Sequence, residues 1–408
     1  MNKMIMPIIY VVFAVGMLVV LLALSFPAFG AFSDFPEYYS AAKMILSGTG
    51  AQIYDLKTFS VVEQNFFPEL NGRIVGFFVP PFAMAWIIPI GLIPLPAAIY
   101  VWKLILISAL VASVVLLSKA FSLTRVGVLY LVAVTALSGA TYEALRIDQL
   151  ATVLLFGLSL YVYGVKRDNQ WLSAFGLALM FLKPQELLPL IVFLLGAGKW
   201  KLVLRFAAIA SLVAVVGCAA VGVDGIRNYS SLMASTVNDT RFLVSDLSPS
   251  LRGQMLRIFP DAAGMTAAVS AGFLVVSLAV ITLIGRLLSK AAQWMEASLL
   301  VALPLGLASC LYFFSYDLVL LLPTIIVVLR ADIQKQIPAP FMLAGMLGAL
   351  IYLMPMSILV HYSYLQPEAG PGGVINPNFV LLLLYGLGLT FFVARQRDLF
   401  TTEESGLR

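Results

Sequence analysis

From end to end the chain alternates runs of roughly 20 apolar residues with short polar stretches, and a hydrocarbon core about 30 Å thick asks for helices of that length. After a first run behind Lys3, the apolar stretches fall at residues 77–95, 98–118, 126–141, 148–165, 171–197, 202–223, 264–288, 296–312, 317–329, 340–360 and 377–394. The first run outlasts the roughly 7 to 15 residues of a signal-peptide core, so it is expected to be an uncleaved helix entering from the cytoplasm. The pattern predicts an all-α polytopic membrane protein in which residues 1–408 form a single membrane domain.

Two polar segments interrupt the pattern. Residues 27–76 are too long for a connector, and within them Phe35, Tyr38, Tyr39, Ala42, Ile45 and Leu46 recur at helical spacing until Gly48 and Gly50. That predicts a short helix lying on the membrane surface, and a second is expected from Thr58 to Pro68. The other segment, 224–261, carries Asp239, Arg241, Asp246, Arg252 and Arg257. Pro80, Pro81, Pro89, Pro94 and Pro96 make the run after Phe77 irregular, which a membrane tolerates only where freed backbone groups find protein or cavity partners.

Basic residues set the sidedness. Arg286 with Lys290, Arg330 with Lys335, and Arg395 with Arg397 follow alternate runs, so the positive-inside rule places them in the cytoplasm and both polar segments outside. Lys166 and Arg167 disturb the count, because four crossings between Phe77 and Val165 would put them outside. Either one of those four runs does not cross and 171–197, with Lys183 and Pro184 at its middle, crosses twice, or all four cross and 171–197 is one kinked span. Both routes give about 12 transmembrane helices and two cytoplasmic termini in a multi-pass protein of the cell membrane.

Composition agrees: of 408 residues 61% are hydrophobic and 11% charged, against roughly 25% charged in soluble domains. The net charge of +5 comes from interhelical basic residues, so membrane lipids are expected partners and nucleic acid is not. Cys218 and Cys310 sit in apolar runs and build neither a disulfide frame nor a CxxC site, and His361 is the only histidine. No metal and no cofactor are therefore expected.

With charge so scarce, the acids of the first loop, Asp34, Glu37, Asp55, Glu63 and Glu69, stand out. An aspartate at a helix start is commonly an N-cap, while an acid at the mouth of a membrane cavity can take the proton of an acceptor hydroxyl. Lys183 lies among apolar residues, where a charge costs about 2.5 to 3.5 kcal/mol on insertion scales. It reads as a ligand for an anionic group or as a snorkelling lysine at a helix end. Arg252 and Arg257, five apart, suit either a clamp on one phosphate or solvated and headgroup positions. Arg146 and Asp148 flank a helix start and read as a pair, with Arg146 a further phosphate candidate.

The succession DFPEYYSAAKMILSGTGAQIYD, VPPFAMAWIIPIGLIP, Trp102, IDQLATVLLFGLSL, FGLALMFLKPQELLPLIVFLL and SPSLRGQMLR resembles glycosyltransferase family 87, membrane enzymes with a GT-C-type bundle that use polyprenyl-phosphate sugars. The resemblance implies an inverting transfer of a hexosyl, mannose-like, residue to a glycolipid or glycan acceptor on the extracytoplasmic face. It makes Asp34 the catalytic base, places Lys183, Arg252, Arg257 and Arg146 at the donor phosphate, and puts Glu37, Tyr38, Tyr54, Asp55, Gln149, Tyr316 and Asp317 at acceptor or sugar. The chain departs from the family pattern in having VPP where many members have YPP, Asp148-Gln149 where many have Gly-Gln, and Tyr316-Asp317 where related enzymes often carry a histidine. A secondary transporter or lipid flippase would also show broken helices and rare charges, but such proteins are often built from two related halves. The acidic first loop has no later counterpart, which favours an enzyme; an assembly subunit would leave the surroundings of Asp34 unexplained.

Overall fold

The computed structural model describes residues 33–70, 76–236, 248–259, 261–333 and 376–396, with the single positions Gly16 and Gly348, and its secondary structure is helical throughout. The first apolar run, most of the 340–360 run, His361, Asp239, Arg241 and Asp246 lie outside the described residues. The first loop contributes α1 (Phe35–Leu46) and α2 (Leu56–Phe66). There follow α3 (Leu95–Ala120), α4 (Arg125–Leu137), α5 (Gly139–Arg146), α6 (Ala151–Lys166), α7 (Gln170–Met180) and α8 (Pro184–Gly196). The remainder comprises α9 (Trp200–Thr236), α10 (Leu251–Ile258), α11 (Ala263–Leu287), α12 (Trp294–Ser309), a 3-10 turn at Ser315–Leu321, α13 (Leu322–Ile333) and α14 (Pro377–Arg395). Among the described residues four helices, Leu95–Ala120, Trp200–Ser235, Ala263–Leu287 and Asn378–Arg395, are each long and apolar enough to cross a membrane; α4 and α5, bent by 56° at Ser138, add a fifth if taken as one span.

A helix forms where the apolar spacing put it, at Phe35–Leu46. Its aromatic face is buried: Phe35 meets Phe67 edge to face at 6.1 Å, and Tyr39 meets Phe66 likewise at 5.5 Å. Such pairs add roughly 0.5–1.5 kcal/mol each beyond the area they bury. These contacts lock α1 onto α2, and so fix the direction in which the start of α1 points.

Both ends of the proline-rich run after Phe77 are tied to this loop. The Tyr54 hydroxyl donates to Val79 O at 2.7 Å and the Tyr39 hydroxyl to Ile93 O at 3.1 Å. Residues 79–93 therefore begin and end against this loop, and between them Phe82 stacks on Phe181 at 4.3 Å. The prolines of this run explain the short 3-10 and α pieces in place of one regular helix.

Residues 171–197 are anchored near both their ends by basic side chains. Trp171 at the start of α7 stacks under Arg205 at 5.5 Å, and Lys199 just past α8 lies over Trp294 at 4.7 Å and donates to Ser289 O at 3.4 Å. Lys166 pairs with Glu296 beside them. Residues 171–197 form two helices, α7 and α8, broken between Met180 and Pro184, and not one regular helix. Lys166, Arg167, Lys199, Lys201, Arg205, Arg286 and Lys290 all come to one end. A close seam joins α6 to α7, where a Cβ on Gly157 would sit 2.7 Å from Gly176 O and one on Gly176 2.4 Å from Gly157 O, the small-residue packing that membrane helices use.

The polar segment expected from residue 224 begins later than the sequence pattern placed it. Gly222, at φ 77°, breaks α9 but does not end it, and helix continues to Thr236. This extension grips the first loop: Asn228 Nδ2 donates to Ala51 O at 2.9 Å and Tyr229 packs on Tyr54 at 5.0 Å. Packing against Ala51 and Tyr54 holds in helix a stretch whose charges alone suggested a loop.

Candidate functional site

The end of the bundle opposite the basic residues gathers most of the polar side chains that the sequence singled out. Asp34 stands at the start of α1 but does not cap it. Its side chain makes no cap hydrogen bond; Ser33 Oγ accepts from Phe35 N at 3.2 Å instead. The Asp34 carboxylate accepts from Gln149 Nε2, and Asp34 N donates to Ile147 O at 2.8 Å. The Tyr38 hydroxyl reaches Gln149 Oε1 at 3.5 Å, which turns the amide nitrogen toward Asp34.

Glu37 lies one turn further along α1, buried. Its carboxyl is pushed well above the ordinary carboxylate range, first by burial and then by the negative charges of Asp34 and Glu63, against smaller opposing effects of Tyr38 and Lys183. Two neighbouring acids in unlike environments divide the roles of proton holder and charge carrier.

A second cluster faces this one. The turn between α7 and α8 presents Lys183, whose Nζ lies 2.7 Å from Asp317 Oδ1, 3.7 Å from Glu186 Oε1 and 4.8 Å from the Tyr316 ring. Asp317 is fixed in turn by Phe314 N, which donates to its Oδ2 at 3.2 Å. Lys183 is no snorkelling side chain: it is paired within the protein. Asp34 acts electrostatically on Lys183 and on Tyr316, and Tyr38 feels both Asp34 and Asp317, so the two clusters share one site.

Beside the second cluster, α10 buries Arg252 and Arg257. Arg252 stacks on Tyr312 at 4.5 Å, and Ser248 Oγ donates to Phe313 O at 2.6 Å, which brings the start of α10 against the 312–317 turn. Gln254 Oε1 accepts from Asn376 N at 2.6 Å and so ties α10 to the start of α14.

Arg146 and Asp148 do not pair. Arg146 Nη2 binds Glu143 at 2.7 Å, one helical turn back, while the Asp148 carboxylate is held by Lys103 at 2.5 Å. The left-handed backbone of Asp148, φ 63°, turns its side chain away from Arg146. Tyr54 and Asp55 are also set apart. Tyr54 packs against Phe77 and Tyr229, and Asp55 caps α2, accepting from Lys57 N at 3.0 Å and Thr58 Oγ1 at 3.1 Å. Sequence reasoning missed Ser33 and Lys103; the latter, a lysine within an apolar run, was the available signal, since such a charge needs a partner.

The helical bundle thus brings acids, a paired lysine and two buried arginines together among apolar, span-length helices. The model of glycosyltransferase family 87 matches residues 77–303. The chain belongs to that family and is a glycosyltransferase with donor and acceptor substrates. The matched stretch holds Gln149, Lys183, Arg252 and Arg257, while Asp34 and Glu37 precede it and enter the site by their contacts. No curated protein matches the chain.

Proposed function

We propose that the protein transfers a hexosyl residue, mannose-like, from a polyprenyl-phosphate sugar to a lipid or glycan acceptor on the extracytoplasmic face of the cell membrane, with inversion, in a GT-C-type bundle. The observation that carries this reading is the Asp34 carboxylate, released from helix capping, oriented by Gln149, and set opposite Lys183. In this reaction Asp34 takes the acceptor hydroxyl's proton as that oxygen bonds to the anomeric carbon. The carbon–oxygen bond to the donor phosphate breaks, and its electron pair leaves with the phosphate. Lys183 receives the phosphate by exchanging it for Asp317, and Arg252 and Arg257 add charge from α10. Such donors matter most where charge develops in the transition state. Glu37, Tyr38, Gln149, Tyr316 and Asp317 line the acceptor and sugar region; Arg146 is the outermost phosphate candidate, and Tyr54 and Asp55 serve packing and capping.

The test is transfer from radiolabelled polyprenyl-phosphate mannose to a lipid extract by membranes holding the protein, read by thin-layer separation. Asp34→Asn should lower turnover by about 100-fold or more, the scale of lost general-base catalysis; a wild-type rate would overturn the assignment. Sidedness has its own test in a Cys218→Ala, Cys310→Ala background. Cysteines replacing exposed Lys57 and Arg227 should label from outside and those replacing Lys201 and Lys290 from inside; all four labelling from one side would overturn the proposed orientation.

A further inference from the structure

We infer that Ser33, Lys103 and Asp148 form a buried strut that positions Gln149 against Asp34, an inference resting on the proposed role of Asp34 as base. The turn between α5 and α6 is only Ile147 to Leu150, and it must place Gln149 facing the start of α1. To do so, Asp148 adopts φ 63°, a left-handed conformation in which a side chain other than glycine's is uncommon and costs conformational energy.

Three contacts hold it there, and a fourth holds Lys103. Lys103 Nζ lies 2.5 Å from Asp148 Oδ1, and Ser33 Oγ donates to Oδ2 at 2.6 Å. Trp102 Nε1 donates to Asp148 O at 3.0 Å, and Lys103 Nζ also donates to Leu145 O at 2.8 Å. Both charged side chains are at least nine-tenths buried.

The strut joins the two residues whose neighbours must meet. Ser33 precedes Asp34 and Asp148 precedes Gln149, so the Ser33–Asp148 hydrogen bond fixes the spacing of the Asp34–Gln149 contact next to it. The backbone bond from Asp34 N to Ile147 O runs alongside at 2.8 Å. Trp102 extends the support to the ring of Tyr38, 5.1 Å away, whose hydroxyl fixes the other end of the Gln149 amide. Lys103 and Asp148 touch no reacting atom. They are positioning residues, and their charges neutralise each other so that their burial adds no net charge beside the base.

Asp148→Gly is the informative variant, because glycine adopts this backbone without strain and yet removes both side-chain ties. It should lower kcat about tenfold with acceptor KM nearly unchanged. It should also move the acid limb of the pH–rate profile upward, because an N–H donated to a carboxylate favours its ionised form and a loosened Gln149 donates less well. Hydrogen–deuterium exchange at residues 33–38 should rise in Asp148→Gly and in Lys103→Met, a readout that needs no catalysis. A strut with only a folding role would lower thermal stability and leave the acid limb in place.

Unchanged exchange at 33–38 with an unmoved acid limb in Asp148→Gly would overturn the inference. If Asp34→Asn proved active while exchange at 33–38 still rose in the strut variants, the base assignment would fall and the strut would stand.

Discussion

Two charged clusters share the recessed end of this bundle, and they are balanced in opposite ways. Lys183 meets a full opposite charge on Asp317 and a second carboxylate on Glu186. Asp34 is met by a neutral amide, Gln149, with Glu37 and Glu63 adding acidity near it. A lysine held by carboxylates can exchange one anion for another, and a carboxylate oriented by an amide can take up a proton. Under the proposed function the Lys183 cluster takes the leaving phosphate and the Asp34 cluster the proton, a difference that can be broken experimentally.

The largest contrast lies in the kinetics. Asp34→Asn should remove turnover by about 100-fold or more and leave donor affinity in place. Lys183→Met should do the reverse, weakening donor affinity by about one to two orders of magnitude for a charge-assisted contact of roughly 1.5 to 3 kcal/mol. Leaving Asp317 buried and unpaired also costs on the order of 3 to 5 kcal/mol of stability. The double variant Lys183→Met, Asp317→Asn should regain most of that stability and none of the donor affinity. Equal loss of turnover and donor affinity in both single variants would erase the distinction between the clusters.

A smaller effect concerns proton linkage at Glu37. Burial and the neighbouring negative charges raise its folded-state pKa, while the unfolded side chain titrates near about 4.3. Between those two values the folded protein keeps a proton that the unfolded chain has lost, so stability falls as pH rises through that window. Melting in detergent should therefore move to lower temperature from pH 5 to pH 8, and Glu37→Gln should flatten the slope. An identical slope in the variant would show that Glu37 is not the group responsible.

The smallest effect belongs to Asp55, which the first loop uses as a cap. Asp55→Ala should cost about 1 kcal/mol of stability with transfer unaltered; a loss of transfer as large as that of Asp34→Asn would bring Asp55 into the site.

The sequence by itself determined the membrane class, the helix α1 and the four long apolar helices, because each is written in local periodicity: α1 follows from the spacing of Phe35, Tyr38, Tyr39 and Ala42, and α11 from an unbroken apolar run. It also singled out Asp34 and Lys183, since charge is rare enough here to be conspicuous. Which partner each charge takes was decided only by tertiary structure. Asp148 lies two residues from Arg146 in the chain, yet it bonds Lys103, 45 positions away. Lys183 finds Asp317 across 134 positions. Likewise, periodicity marked the apolar runs within 77–197, while the hydroxyls of Tyr39 and Tyr54 and the stacking of Arg205 on Trp171 tie their ends to distant parts of the chain. Hydrophobic periodicity acts between neighbours within a helix and is therefore legible along the chain. Ion pairs and hydrogen bonds in a low-dielectric interior act between whichever groups the packing brings together, and only the folded bundle specifies those.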